Sequence, residues 1–204
     1  MNMLKRELYL KRIRDFYDSD LVKILVGIRR SGKSVILEQI IEELRNKGID
    51  IEHIIYINFE FIEFEELTDY KKLNKYIKDK IKDNSMYYLF FDEIQNVDNF
   101  EKVVNSLRAS EKVSIFITGS NSRLLSEELS TVLSGRYVSF RINPLSYKEV
   151  LQLQGKESND EIFNNYMKWG SLPNRFEFKN EESIKNYLYG VFDSIILRDV
   201  VERL

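Results

Sequence analysis

The stretch Gly27-Ile28-Arg29-Arg30-Ser31-Gly32-Lys33-Ser34 fits the pattern G-x-x-x-x-G-K-[ST], and its flanks decide the fold. The pattern carries phosphate chemistry only when a strand runs into it and a helix runs out of it. Both flanks are present. Leu21 to Val26 is a short apolar run ending in glycine, which reads as a buried strand. Downstream, Ile36, Leu37, Ile40, Ile41 and Leu44 share one helical face, and Asn46-Lys47-Gly48 ends it. In that setting Gly27 and Gly32 are expected to let the backbone curl and turn its N–H groups inward, while the following helix aims its positive end at the same point. Lys33 can then reach the β- and γ-phosphates of a nucleoside triphosphate, and the Ser34 hydroxyl can ligate Mg²⁺. The ordinary alternative is a glycine turn carrying a surface lysine.

Working outward, further strands are expected at 54–59, 86–91, 113–118 and 137–142. Helices are expected near the N-terminus (Leu4, Leu8, Ile13, Phe16), within 60–83, and after Phe100 (Val103, Val104, Leu107). Alternating strands and helices favour an α/β architecture with a parallel sheet covered on both faces. Beyond Leu145 the pattern is helical only. Its longest stripe, Ile184, Leu188, Val191, Phe192, Ile195 and Ile196, runs on to Leu204 without a stop signal. The expected division is a core over 1–143 and a helical lid over 144–204, truncated at its C-terminal end.

The strand at 86–91 delivers Asp92-Glu93 at its C-terminal end, the edge where α/β sheets bind ligands. Asp92 is placed to hold Mg²⁺ directly or through water, and Glu93 to polarise an attacking water. An acidic helix cap would be the plain reading of such a pair taken alone. With the upstream loop it points to Mg²⁺-dependent nucleotide binding.

Composition narrows the classes. No cysteine is present among the 204 residues, which excludes disulfides, thiolate zinc sites and cysteine nucleophiles; a single histidine, His53, excludes a histidine-rich metal site. A formal net charge of −2 gives no overall positive field, so nucleic acid as a partner is unsupported. The basic N-terminal residues Lys5, Arg6, Lys11, Arg12 and Arg14 read as a solvated helix face, because Glu7 and Asp15 interrupt them. No apolar run approaches a membrane span, and the charged N-terminus is unlike a secretory signal; a cytoplasmic protein is expected.

The set GIRRSGKS, YINFE, FFDEIQNV, FITGSNS, LSGRY, INPLS and WGSLP resembles a family of prokaryotic AAA+-type P-loop ATPases related to the STAND ATPases. The resemblance covers almost the whole chain. It implies a P-loop NTPase sheet of order 5-1-4-3-2 followed by a small all-α lid, with ATP and Mg²⁺ as cofactors. The contact set would be Gly27, Ile28, Arg29, Arg30, Ser31, Gly32, Lys33, Ser34 and Val35. It also implies a sensor at Ser120 or Asn121, for which a helix cap over 124–129 is the alternative. Arg136 corresponds to an arginine finger acting on a neighbouring subunit of a homo-oligomer; a surface arginine paired with a carboxylate is the alternative. Pro173 of WGSLP would pack near the adenine, or stand in a plain turn between helices. Three functions compete on these residues: an ATP-hydrolysing motor or switch, a nucleotide-gated interaction module with little turnover, and a small phosphotransferase. Glu93 next to Asp92 argues against the last, since a water-activating base would waste ATP.

Overall fold

A computed structural model describes residues 4–119, 133 and 135–199. Five parallel strands form one sheet: β1 (Val22–Val26), β2 (Ile54–Asn58), β3 (Tyr87–Asp92), β4 (Val113–Gly119) and β5 (Tyr137–Arg141). Their order across the sheet is β2-β3-β4-β1-β5, the expected 5-1-4-3-2 read from the other edge. β1, β3 and β4 are buried at every residue, as strands covered on both faces must be, whereas edge strand β5 is half-buried to exposed. Inserting β4 between β1 and β3 brings Leu25 opposite Thr118 and Phe90 opposite Phe116. This register aligns the C-terminal ends of β1, β3 and β4.

Contacts among residues gather into two units. One comprises 7–27 and 33–141, with the whole sheet. Helices α1 (Glu7–Ile13), α2 (Lys33–Asn46), α3 (Tyr70–Lys80) and α4 (Phe100–Ser110) belong to it. On one sheet face, Val22, Ile24, Val26, Leu89, Phe91, Ile115 and Ile117 pack with Leu73 and Ile77 of α3 and with Val103, Val104 and Leu107 of α4. On the other, Phe90 and Phe116 stack with ring centroids 4.7 Å apart, and Tyr17 meets Phe116 edge-on. The segment expected to hold a helix within 60–83 contains α3, preceded by a 3₁₀ stretch, Ile62–Thr68. The break is Asp69, whose carboxylate accepts from the Lys71 and Lys72 N–H groups and restarts the helix.

The second unit comprises the N-terminal residues up to Arg6, loop residues 28–32, and everything from Ile142. It is helical after Pro144: α5 (Tyr147–Gln154), α6 (Asp160–Trp169) and α7 (Glu181–Asp199). A capping box at Ser146 and Glu149 starts α5, and Gly155 in the left-handed conformation ends it. Along α7 only part of the apolar stripe is covered. Ile184 and Val191 are buried, while Phe192 and Ile196 are exposed. At about 100° per residue, Phe192 lies roughly 90° and Ile196 roughly 130° from the centre of the Ile184–Val191 face, so the apolar arc is much wider than the buried one. No helix among the described residues is long and apolar enough to cross a membrane.

Candidate nucleotide site

The loop after β1 has the strain its glycines foretell, differently distributed. Gly32 lies at φ 96, and its partner in positive φ is Arg30 at φ 63 rather than Gly27. A Cβ on Gly32 would lie 3.2 Å from Arg6 Nη1. Arg6 is not part of a solvated face. It is 2% exposed, ion-paired through Nε to Glu149 Oε1 at 2.7 Å, and donates from Nη1 to the Ser31 carbonyl and from Nη2 to the Asn143 carbonyl. The earlier expectation fails because charge alternation shows which residues can face water, not which find a buried partner. Arg30 lies over the Tyr187 ring of α7 at 5.3 Å. The Ser31 hydroxyl is fully buried, with no hydrogen-bond partner among the described residues. An orphaned donor inside a glycine loop fits a loop that wraps an oxyanion.

Within the sheet-containing unit, α2 begins at Lys33, so Lys33 and Ser34 form its first turn. Lys33 is nearly buried. Its ammonium donates to the Gly27 carbonyl at 3.3 Å and lies 3.6 Å from Glu93 Oε1. Gln95 Nε2 donates to the other oxygen, Glu93 Oε2, at 2.5 Å. Glu93 itself stands at φ 54, a left-handed turn that a non-glycine residue adopts at a cost of roughly 1–3 kcal/mol. That turn swings the side chain off the strand axis toward Lys33.

Asp92 is completely buried at the last position of β3 and accepts from three side chains. Tyr56 Oη donates to Oδ2 at 3.0 Å, Asn58 Nδ2 to Oδ2 at 3.3 Å, and Thr118 Oγ1 to Oδ1. The same Thr118 oxygen accepts from the Glu93 backbone N–H at 3.0 Å. One hydroxyl therefore fixes both acidic residues. Burial, then the Asp92 charge, raises the pKa of Tyr56; the same two causes raise the Glu38 carboxyl above its ordinary range. A carboxylate this fully satisfied by protein donors suits a magnesium ion held through its water shell, with Ser34 as the hydroxyl donor.

Ser120 and Asn121 fall outside the described residues. Arg136 is exposed, makes no ion pair among the described residues, and sits before the first residue of β5. With Val22 opposite Tyr137 in a parallel pair, that is the N-terminal edge of the sheet, roughly 17 Å of strand away from the loop edge. Pro173 opens a 3₁₀ turn, Pro173–Glu177. Tyr56, Thr118, Gln95 and Glu38 were not singled out by sequence. The first two show only as ordinary strand residues until the register brings them to Asp92.

Comparison with known proteins agrees with this fold. An uncharacterized protein of Haemophilus influenzae is 41% identical over 98% of this chain; the chain spans about half of that relative, 51%. The Walker-type ATPase PABY2304 of Pyrococcus abyssi superposes with a TM-score of 0.62 over 98% of this chain and 75% of its own, at 16% identity. AMPPCP-bound DnaA of Aquifex aeolicus does so with a TM-score of 0.54 over 100% of this chain and 67% of its own, also at 16% identity. These two likenesses are of fold, the parallel sheet of P-loop NTPases. The AAA domain profile matches residues 19–151, from just before β1 to within α5, and the chain belongs to the AAA domain family.

Proposed function

We propose that the chain binds Mg²⁺–ATP at residues 27–35 and hydrolyses it to ADP and phosphate, as a motor or switch of the AAA+ and STAND type. The observation that carries this reading is the Lys33–Glu93 pair at 3.6 Å, formed at the C-terminal edge of the sheet beside a fully buried Asp92. A general base must lie near the phosphate anchor without being consumed by it. Lys33 prefers an arriving γ-phosphate to a single carboxylate, because more negative charge is then neutralised per desolvated ammonium. Glu93 is thereby released from the ammonium, still oriented by Gln95 and by its N–H on Thr118, and takes a proton from the attacking water. Ser34 and Asp92 would hold Mg²⁺, which would supply neutralisation of the phosphate charge. The buried Ser31 hydroxyl would supply a further donor, and Pro173 would lie near the adenine. Arg136, remote from its own chain's loop edge, suits a finger offered to a neighbouring subunit, and Ser120 or Asn121 the sensor.

The test is phosphate release without any added acceptor. Glu93→Gln retains Mg²⁺–ATP affinity and loses turnover by at least about a hundredfold, the usual worth of a general base. In the same assay Arg136→Ala lowers kcat without weakening ATP binding. A Glu93→Gln chain that releases phosphate at the parent rate removes the base; release only with an added acceptor makes the chain a phosphotransferase.

A further inference from the structure

The helical unit holds a cavity of about 310 Å³ that the nucleotide chemistry does not use. Arg175, Asn165, Gln154, Lys156 and Lys179 line it with donors, and Glu161 is the one acid in the lining. Aliphatic and aromatic side chains complete the wall. Arg175 is 3% exposed. Its Nε donates to the Gly170 carbonyl at 2.7 Å and its Nη2 to Asn165 Oδ1 at 3.0 Å, and its guanidinium lies 4.1 Å from the Phe176 ring centroid. These contacts fix the plane of the guanidinium. Among the described residues no carboxylate pairs with it, and Nη1 has no protein acceptor.

That arrangement is out of keeping with the other buried cations. Arg6, equally buried, is neutralised by Glu149 at 2.7 Å. Lys23, fully buried with no carboxylate partner among the described residues, has its pKa pushed down to about 7 by burial and can shed its proton. Burial also lowers the Arg175 pKa, but an arginine stays charged in proteins. A fixed positive charge left without a counter-ion in a desolvated wall is costly, and an oxyanion relieves it with good geometry, because a guanidinium fork matches a carboxylate or phosphate.

We propose that this cavity is a second ligand site, which takes a small organic anion, a carboxylate or phosphomonoester, with Arg175 as the fixed fork, Asn165 beside it, and Lys156 and Lys179 as the mobile rim. The volume, at the lower end of the roughly 300–1,000 Å³ usual for ligand sites, limits the occupant to metabolite size. Exposed Lys156 and Lys179 supply attraction and tolerate change; Arg175 supplies orientation.

The single tryptophan, Trp169, ends α6 one residue before the Gly170 carbonyl that holds Arg175, so its fluorescence reports on this site. The experiment titrates inorganic phosphate, and separately succinate, against sodium chloride at matched ionic strength. It uses a Lys33→Ala chain, in which the phosphate loop no longer contributes. Expected is a saturable fluorescence change with at least one of the two probes, weakened about tenfold in Lys156→Ala/Lys179→Ala and abolished in Arg175→Gln. A response to phosphate alone assigns phosphomonoesters, and one to succinate alone assigns carboxylates. The double lysine variant alters only exposed side chains, so a folding defect in Arg175→Gln leaves the test intact. No saturable response above chloride with either probe, or one unchanged in the lysine variant, overturns the site.

Discussion

Thr118→Val is the sharpest perturbation of the nucleotide site, since it keeps side-chain shape and removes one oxygen. That oxygen donates to Asp92 Oδ1 and accepts from the Glu93 N–H. Both partners stay in place when it is gone. Asp92 keeps Tyr56 and Asn58, so its carboxylate is under-satisfied rather than stranded. A hydrogen bond to a charged group contributes roughly 1.5–3 kcal/mol, and a stranded N–H costs about 1–3 kcal/mol. With Thr118 fully buried, solvent does little to replace either partner. The two terms sum to about 2.5–6 kcal/mol, and with Asp92 keeping two donors the expected loss is the lower part of that range, about 2.5–4 kcal/mol, less than the roughly 5–15 kcal/mol of a typical domain, so the variant folds. Urea denaturation reads this as a midpoint lowered by roughly 1–2 M at unchanged slope. The second effect is catalytic. With its backbone anchor gone, Glu93 loses orientation, and kcat falls at least about tenfold, the equivalent of about 1.4 kcal/mol. Thr118→Ser restores the hydroxyl and returns kcat, giving up only a buried methyl worth about 1 kcal/mol. A Val variant within about 0.5 kcal/mol of the parent and hydrolysing ATP at the parent rate would refute the shared-hydroxyl argument.

Two further outcomes follow from buried groups. Lys23 donates to the Ser19 carbonyl and the Ser114 hydroxyl and lies over the Phe116 ring, and burial lowers its pKa from the ordinary 10.5 to about 7. Between pH 7 and 10.5 the unfolded chain therefore binds more protons, so stability rises with pH there. Below pH 7 the full penalty applies, up to about 5 kcal/mol. Lys23→Met should be more stable than the parent at pH 6.5, with the gap closing by pH 9.5 in urea melts; parallel pH profiles would contradict this. Gly32→Ala places a Cβ at φ 96 and 3.2 Å from Arg6 Nη1, so thermal melting and ATP titration should both register a loss of at least about 1 kcal/mol, and an unchanged melting temperature would remove the strain argument.

The sheet was legible because parallel strands announce themselves as continuous apolar runs, and each run here ends on chemistry: Val26 on the loop, Phe91 on Asp92-Glu93. Strand order was not contained in any run. It came from the resemblance, since neither periodicity nor length says that β4 separates β1 from β3. The helix expected within 60–83 is there as α3, but its start was not legible, because Asp69 caps from inside a polar stretch where one more acid gives no contrast. Among the N-terminal basic residues, Lys5, Lys11 and Arg12 are exposed as expected, and Arg6 is the one that is buried. Arg6 and Arg12 look alike in sequence, and only Glu149, 143 positions away, distinguishes the buried one.

The same limit explains which parts of the site stayed hidden. Lys33, Ser34, Asp92 and Glu93 are found by spacing because they act from two contiguous segments, each a strand end with a turn. Tyr56, Asn58 and Thr118 serve Asp92 from strands on either side of it, so their selection is a matter of register. Asn58 lies opposite Asp92, and Tyr56 shares its side of the sheet two residues earlier. A one-residue slip of β2 would turn Tyr56 and Asn58 to the other face and leave Oδ2 without either donor. A buried carboxylate cannot tolerate that loss cheaply, so Asp92 itself helps to select the β2–β3 pairing that the apolar residues alone leave weakly specified. The acid that sequence marks as functional thus also acts as a register pin, and Asp92→Ala should disturb the sheet edge as well as the chemistry. Asp92→Asn keeps the side-chain volume but sets an N–H₂ donor where Oδ2 accepts from Asn58 Nδ2, so it should loosen the same sheet edge while also removing the charge.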